Sequence, residues 1–396
     1  MTGLTRAFLA LLLAAPLFAR PAHADTTIKI GNLVALTGDG ATVGTHLLAA
    51  ENLYMKLHGT ELPPGLHVEM ITRDDASKPD NLKRLAQELI VRDHVSMLAG
   101  ISMSPQGFAV APVVTEAKIP AILMNATTSS ITRASPYMVR FSHSNWQMSY
   151  EIGIWAAKHG LKTVYILVAD YAAGIDVEAA FRRGFTDNGG TIVGSDHTPL
   201  STTDYLPYMQ RVKAAKPDAL FYFEITGPAT IATAKAVAAA GLREAGIQMI
   251  GSGDMVPDDQ LPQTGPVAAG MVNTSLYTKT LNTPANIEFL KAWRAEYGAD
   301  SVPDFSSIAA WNGMRAIFAA VRALGANATG DAAMEFFKHY KDADTPQGPI
   351  AIDPETRDIV LDVYLCRVTK VGDEWQNVPF DVMKDIKDPW KMLNPG

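Results

Sequence analysis

The chain has 396 residues, 47% of them apolar, with 34 basic and 41 acidic side chains and a net charge of −7. That balance disfavours nucleic acid and anionic membrane surfaces as partners, and the length is enough for two domains of about 150 residues each. The nine His residues show no i,i+4 pairing and Cys366 is the only Cys. No zinc site or intramolecular disulfide is therefore expected, and Cys366 reads as a small core hydrophobe.

Arg6 is followed by an apolar run from Ala7 to Ala19 and then by Ala22-His23-Ala24, a small-x-small pattern. Residues 1–24 read as a signal peptide cut after Ala24; the run is shorter than the roughly 20 apolar residues that span a bilayer. No Cys near the cut offers a lipid acceptor, and no later segment is expected to span. Loss of Arg6 and Arg20 leaves the mature chain still more acidic.

From there strands alternate with helices, as in parallel sheets covered on both faces. Thr27–Ile30 opens the first series, and after Gly38-Asp39-Gly40 a helix carries Leu47, Ala50, Tyr54 and Leu57 on one face. Strands at Val68–Ile71, Val95–Ala99 and Ala121–Met124 follow, with helices marked by Leu82, Leu85 and Leu89 and from about Pro105. After Trp146 a second series begins. Thr163–Val168 is apolar on both faces, as a central parallel strand must be, and the helix after Gly174 ends at Gly189-Gly190. Strands at Ile192–Gly194, Leu220–Phe223 and Met249-Ile250 come next. Residues 276–358 return to helices at Pro284–Tyr297, Phe305–Leu324 and Ala332–Tyr340, with a short strand at Ile350–Asp353; Val360–Lys370 is the last strand expected.

No enzyme pattern emerges. Gly38-Asp39-Gly40-Ala41-Thr42-Val43-Gly44 sits where a dinucleotide fingerprint would, but its third Gly is one residue late. The loop, Val43 included, suits close approach of a ligand to backbone and a helix N-terminus. Gly100-Ile101-Ser102-Met103-Ser104 lacks the last Gly of a nucleophile elbow. No cofactor or metal is expected. A ligand should sit outside the carboxyl ends of the parallel strands, beside free helix N–H groups. There Ser102-Met103-Ser104-Pro105-Gln106 and Asn125-Ala126-Thr127-Thr128 offer hydroxyls to a carboxylate, although the same Ser and Thr side chains would also serve as N-caps.

The stretch from Thr203, an acid-capped helix that runs through the Lys216-Pro217-Asp218 turn into the strand Leu220–Phe223, resembles a signature of periplasmic solute-binding proteins of the branched-chain amino acid type. Ile30–Gly44, Asp74-Asp75, Ala126-Thr127-Thr128, Asp170-Tyr171-Ala172-Ala173-Gly174 and Thr345–Ile350 carry the same resemblance. It implies an α/β type I periplasmic binding fold: two doubly wound parallel-sheet lobes joined by a three-crossing hinge near residues 143, 275 and 359. Lobe 1 would comprise 25–142 and 276–358, lobe 2 143–275 and 359–396. It further implies a periplasmic monomer that passes a small carboxylate to the membrane permease of an ABC transporter.

By that resemblance the ligand carboxylate falls to Met103, Ser104, Asn125 and Thr127. Met103 stands where many members have a hydroxyl, and Ala173 holds the usual Tyr place while Tyr171 lies two residues earlier. Gly253 occupies the position of the acid that pairs with an amino group, leaving Asp254 and Glu224 as candidates. These departures favour an aromatic carboxylate over an amino acid. A soluble ligand sensor docking on a signalling partner and an exported enzyme are the competing functions; the first lacks an expected spanning segment and the second a base and nucleophile.

Overall fold

The computed structural model describes residues 25–395; the leader expected at residues 1–24 lies outside them. The first series forms β1 (Thr26–Val34), α1 (Ala41–His58), β2 (Leu66–Asp74), α2 (Pro79–Val91), β3 (Met97–Gly100), α3 (Ser104–Ala117), β4 (Ala121–Leu123) and β5 (Met138–Arg140). Its strands build a five-stranded, wholly parallel sheet in the order β2-β1-β3-β4-β5. α2 and α3 cover one face through Leu82, Leu89, Val110 and Val114.

The second series gives α4 (Asn145–Lys158), β6 (Thr163–Ala169), α5 (Ala172–Thr186), β7 (Thr191–Thr198), α6 (Leu206–Ala215), β8 (Ala219–Phe223), α7 (Pro228–Ala240), β9 (Gln248–Ser252), α8 (Leu261–Ala268) and β10 (Val272–Ser275). Strands β6 to β10 run parallel in the order β10-β9-β8-β6-β7. Phe181 stacks on Phe221 at 3.9 Å between ring centroids, pinning α5 to the sheet.

The remaining segment supplies α9 (Pro284–Tyr297), α10 (Phe305–Leu324), α11 (Gly330–Lys338), β11 (Lys341–Asp342), β12 (Ile350–Ile352), β13 (Ile359–Val371), β14 (Glu374–Ile386) and α12 (Pro389–Leu393). α10 packs on α1 and completes the second face of the first sheet, where Tyr54 meets Trp311 and Phe318 edge-on at 4.9 and 5.1 Å. Sequential elements thus return to the first lobe after the second is built.

Not everything is parallel. β13 runs antiparallel to β10 and forms a long antiparallel ribbon with β14, a strand the pattern did not reveal. β14 mixes Pro379 with charged residues on a half-exposed edge, where burial imposes no continuous apolar run. Cys366 lies fully buried in β13, and burial pushes its thiol well up.

The chain leaves the first sheet after Arg140, leaves the second after Ser275, and along β13 passes from pairing with β12 at Ile359–Leu361 to pairing with β10 from Tyr364. Gln147 ties the first and third passages, since its Nε2 donates to the carbonyls of Ile359 and Ile386 at 2.8 and 2.7 Å. A further passage was not expected. After β14, α12 ends against the first lobe: Lys391 Nζ lies 3.2 Å from Asp358, and the Arg133 guanidinium sits 4.5 Å over the Trp390 ring.

Candidate functional site

Both lobes present their carboxyl strand ends to one cleft, whose inner cavity is narrow, about 30 Å³. The loops after β1, β3 and β4 supply Gly40, Val43, Ser102, Met103, Ser104, Asn125 and Thr127. Those after β6, β8 and β9 supply Tyr171, Phe223, Glu224, Ile225, Thr226 and Asp254. Phe305, at the start of α10, closes one side. Beyond Ile225 the cleft opens into a wider mouth of about 360 Å³ between Asp39 and Thr42 on one lobe and Leu200, Thr203 and Ala229 on the other.

Glycine brings the helices close to the strand ends in both lobes. A Cβ on Gly44 would lie 1.8 Å from the Ala35 carbonyl oxygen, and one on Gly174 would lie 1.9 Å from that of Ala169. Either substitution would push a helix N-terminus away from the cleft. The lobes themselves touch at Gly227, whose φ of +134° and 2.6 Å notional Cβ distance to Thr42 Oγ1 leave no room for a side chain.

The first-lobe edge is held from behind. Gly100 and Ile101 both have positive φ, +86° and +61°, which is costly for a β-branched residue. The turn they make brings Ser102 to Asn125, whose Nδ2 donates to the Ser102 carbonyl at 2.6 Å. The Thr128 N–H donates to Ser104 Oγ at 3.2 Å, joining the two hydroxyl-bearing loops. Arg140, with no exposed surface, donates to the Thr127 and Thr128 carbonyls, both at 2.7 Å, and its Nε lies 3.1 Å from Asp358. Met103 caps α3 without any side-chain bond, so the first N–H groups of that helix have no partner within it. Thr127 lines the cavity, while Thr128, not Thr127, takes the cap position of the short 3₁₀ turn that follows.

The second-lobe edge is aromatic and acidic. Tyr171 and Phe223 stack at 6.4 Å with 15° between their planes. Glu224 is only 3% exposed; Thr198 Oγ1 donates to one oxygen at 2.6 Å and Tyr205 OH to the other at 3.3 Å. Burial pushes its carboxyl up to about 7 against the pull of those two donors. This is no solvated loop acid. Asp254 lies in a 3₁₀ turn after β9 with Oδ2 at 3.3 Å from His143 Nε2, a buried residue on the first passage between lobes. Burial, followed by the charges of Asp254 and Glu224, drives the Tyr171 phenol well above its ordinary range.

Of the residues singled out from sequence, Val43, Met103, Ser104, Asn125, Thr127, Tyr171, Glu224 and Asp254 line the cavity. Ala173 does not. α5 begins at Ala172, before Gly174 instead of after it, so the Ala173 side chain turns into the second-lobe core. Phe305 and His143 were not anticipated. Phe305 arrives from a distant part of the chain, and a lone His resembles any surface His until the hinge brings it to Asp254.

A family model described as Periplasmic binding protein matches residues 27–373. The Leu/Ile/Val-binding protein homolog 6 of Brucella melitensis is 37% identical over 358 residues, covering 90% of this chain and 91% of that protein. Among solved structures, the solute-binding protein of an ABC transporter from Rhodopseudomonas palustris BisB5, in complex with 3,4-dihydroxybenzoic acid, is 42% identical with a TM-score of 0.88. It covers 92% of this chain and 99% of its own. A second R. palustris solute-binding protein, in complex with 4-hydroxybenzoate, is 36% identical with a TM-score of 0.88, over 93% and 100% of the two chains.

Proposed function

Because the chain belongs to the periplasmic binding protein family, we propose that it is an exported solute receptor that captures a small aromatic carboxylate between its lobes and passes it to an ABC transporter permease. The observation that carries this reading is the division of the cleft. One edge offers helix N–H groups and the hydroxyls of Ser104 and Thr127 to an anion. The other offers a flat aromatic wall and two acids that would repel a carboxylate. A benzoate-type acid fits that polarity with its carboxylate toward the first lobe, and solved relatives bind such acids.

Residues 25–142 and 276–358 would move as one body and 143–275 with most of 359–396 as the other, the three central passages acting as the hinge. The leader would be released after Ala24, and among the described residues no helix is long and apolar enough to cross a membrane. The receptor would act as a monomer, with no catalytic step.

The test is a thermal-melt screen of the mature protein against benzoate-type acids, amino acids, amides and sugars. A true ligand at about 100 times its dissociation constant adds roughly 2.7 kcal/mol of stability. The names of curated relatives favour a second reading, an aliphatic amino acid. Stabilisation by leucine or valine with no response to aromatic acids would select it.

A further inference from the structure

Glu224 poses a problem that the aromatic-carboxylate reading leaves open. Its carboxyl is almost wholly out of water yet lines the cavity. A carboxylate offers about four lone-pair positions, and Thr198 and Tyr205 take one on each oxygen. None of the residues lining the cavity is Lys, Arg or His. Asp254, the other acid, already faces His143 at 3.3 Å. The remaining acceptor positions of Glu224 face the cavity and are open to a donor on the ligand or to water.

Two kinds of donor are possible, an ammonium group or a neutral hydroxyl. An ammonium calls for a full negative charge beside it, and burial, which pushes the Glu224 carboxyl up to about 7, works against that charge. A phenolic hydroxyl needs no counter-charge, is borne on a flat ring, and matches walls formed by Tyr171, Phe223 and Phe305. Thr198 at the end of β7 and Tyr205 just before α6 hold Glu224 from two separate elements, which fixes the carboxyl in place before any ligand arrives.

We propose that Glu224, positioned by Thr198 and Tyr205, accepts a hydrogen bond from a ring hydroxyl of the bound acid, so that the receptor selects hydroxylated benzoate-type carboxylates over the unsubstituted parent. The proposal rests on the aromatic-carboxylate reading above. A site that hydrogen-bonds a hydroxyl rejects an analogue lacking it far more strongly than an apolar pocket rejects a missing methylene.

Calorimetric titration of the purified mature protein with benzoate, 3-hydroxybenzoate, 4-hydroxybenzoate and 4-fluorobenzoate tests this, alongside Glu224→Met, which removes both acceptor oxygens and is checked for folding by its melt. At least one hydroxybenzoate should bind the unmodified protein tenfold or more tighter than benzoate and 4-fluorobenzoate. In Glu224→Met that preference should shrink below threefold. Equal binding of all four acids, or a preference that survives in the variant, overturns the assignment but leaves the aromatic-carboxylate reading intact. If none of the acids binds, that reading itself fails. Should the variant not fold, the comparison of hydroxyl with fluorine in the unmodified protein still decides whether a donor is read.

Discussion

The two edges of the cleft are built on opposite plans. The first-lobe edge has no charged side chain in its lining, yet carries a buried cation directly behind it, because Arg140 donates to the Thr127 and Thr128 carbonyls. The second-lobe edge puts Glu224 and Asp254 in the lining itself. In the proposed reading one lobe would attract an anion through oriented backbone and hydroxyl dipoles, whose charge support is hidden and paired with Asp358. The other would repel anions and accept donors. Such an arrangement would fix which way round a polar-ended molecule lies in the cleft.

The largest break in this comparison should come from Arg140→Met. It leaves Asp358 buried with Lys391 and the Thr132 hydroxyl but without its guanidinium, and strips two carbonyls of their donors. Loss of one partner from a buried pair costs about 3–5 kcal/mol, so urea unfolding should show a loss of that order, with ligand binding abolished. A stable variant that binds normally would mean the first edge does not need its hidden cation.

Gly227→Val attacks the meeting of the two edges. A side chain there faces Thr42 and a backbone strained by about 1–3 kcal/mol for a non-Gly residue. Small-angle scattering of the unmodified protein should show a smaller radius of gyration with ligand; in the variant that contraction should be reduced and affinity should fall. Equal contraction in both proteins would place the closing contact elsewhere.

Thr127→Val sharpens the comparison on one side only. It keeps the shape and removes a hydroxyl, so binding should weaken about tenfold, as expected for one hydrogen bond to a charged group. The melting temperature without ligand should stay the same. A fall in stability with unaltered affinity would make Thr127 a structural residue.

The smallest effect concerns a charge contact between the two lobes. His46 on α1 lies 2.8 Å from Asp304, the N-cap of α10, and 4.0 Å from Asp259 on the other lobe. Burial opposes its protonation, but the two carboxylates outweigh this and raise it to about 9. Its contribution is thus complete below about pH 6.5, the unfolded value, and is lost as pH rises through 9. Asp259, raised by burial and by Asp304 to about 7, has finished titrating by then, and Asp304 stays ionised throughout. The melting temperature should decline by a few degrees, for a change on the order of 1 kcal/mol, between pH 7 and 10. His46→Gln should flatten that slope.

Much of the fold was legible because burial on both faces leaves an unbroken apolar run, as at Thr163–Val168, and because caps mark helices sharply. Pro284–Tyr297 and Phe305–Leu324 were read to the residue. β5, at three residues, is too short to show a period, and β14 lies half in water, so neither left a mark. The loops of the site were legible by rule, since strand ends face the cleft. Which side chain of a loop turns inward was not. Starting α5 at Ala172 sends Ala173 to the core and leaves Tyr171 at the cavity, a difference of two residues that no local pattern records. The pairing of His143 with Asp254 and the arrival of Phe305 depend on the hinge bringing distant segments together.

The packing of α10 on α1 also sets an order of events. The second lobe draws most of its core from one continuous stretch of chain, Ile152 to Val272, so its contacts close over short loops. The first sheet exposes one apolar face until α10, from far along the chain, reaches α1. Closing so long a loop is entropically slow. For a chain emerging N-terminus first, the earliest-made sheet is therefore the last to be sealed, and its open face is the surface a chaperone or a neighbouring unfinished copy would meet.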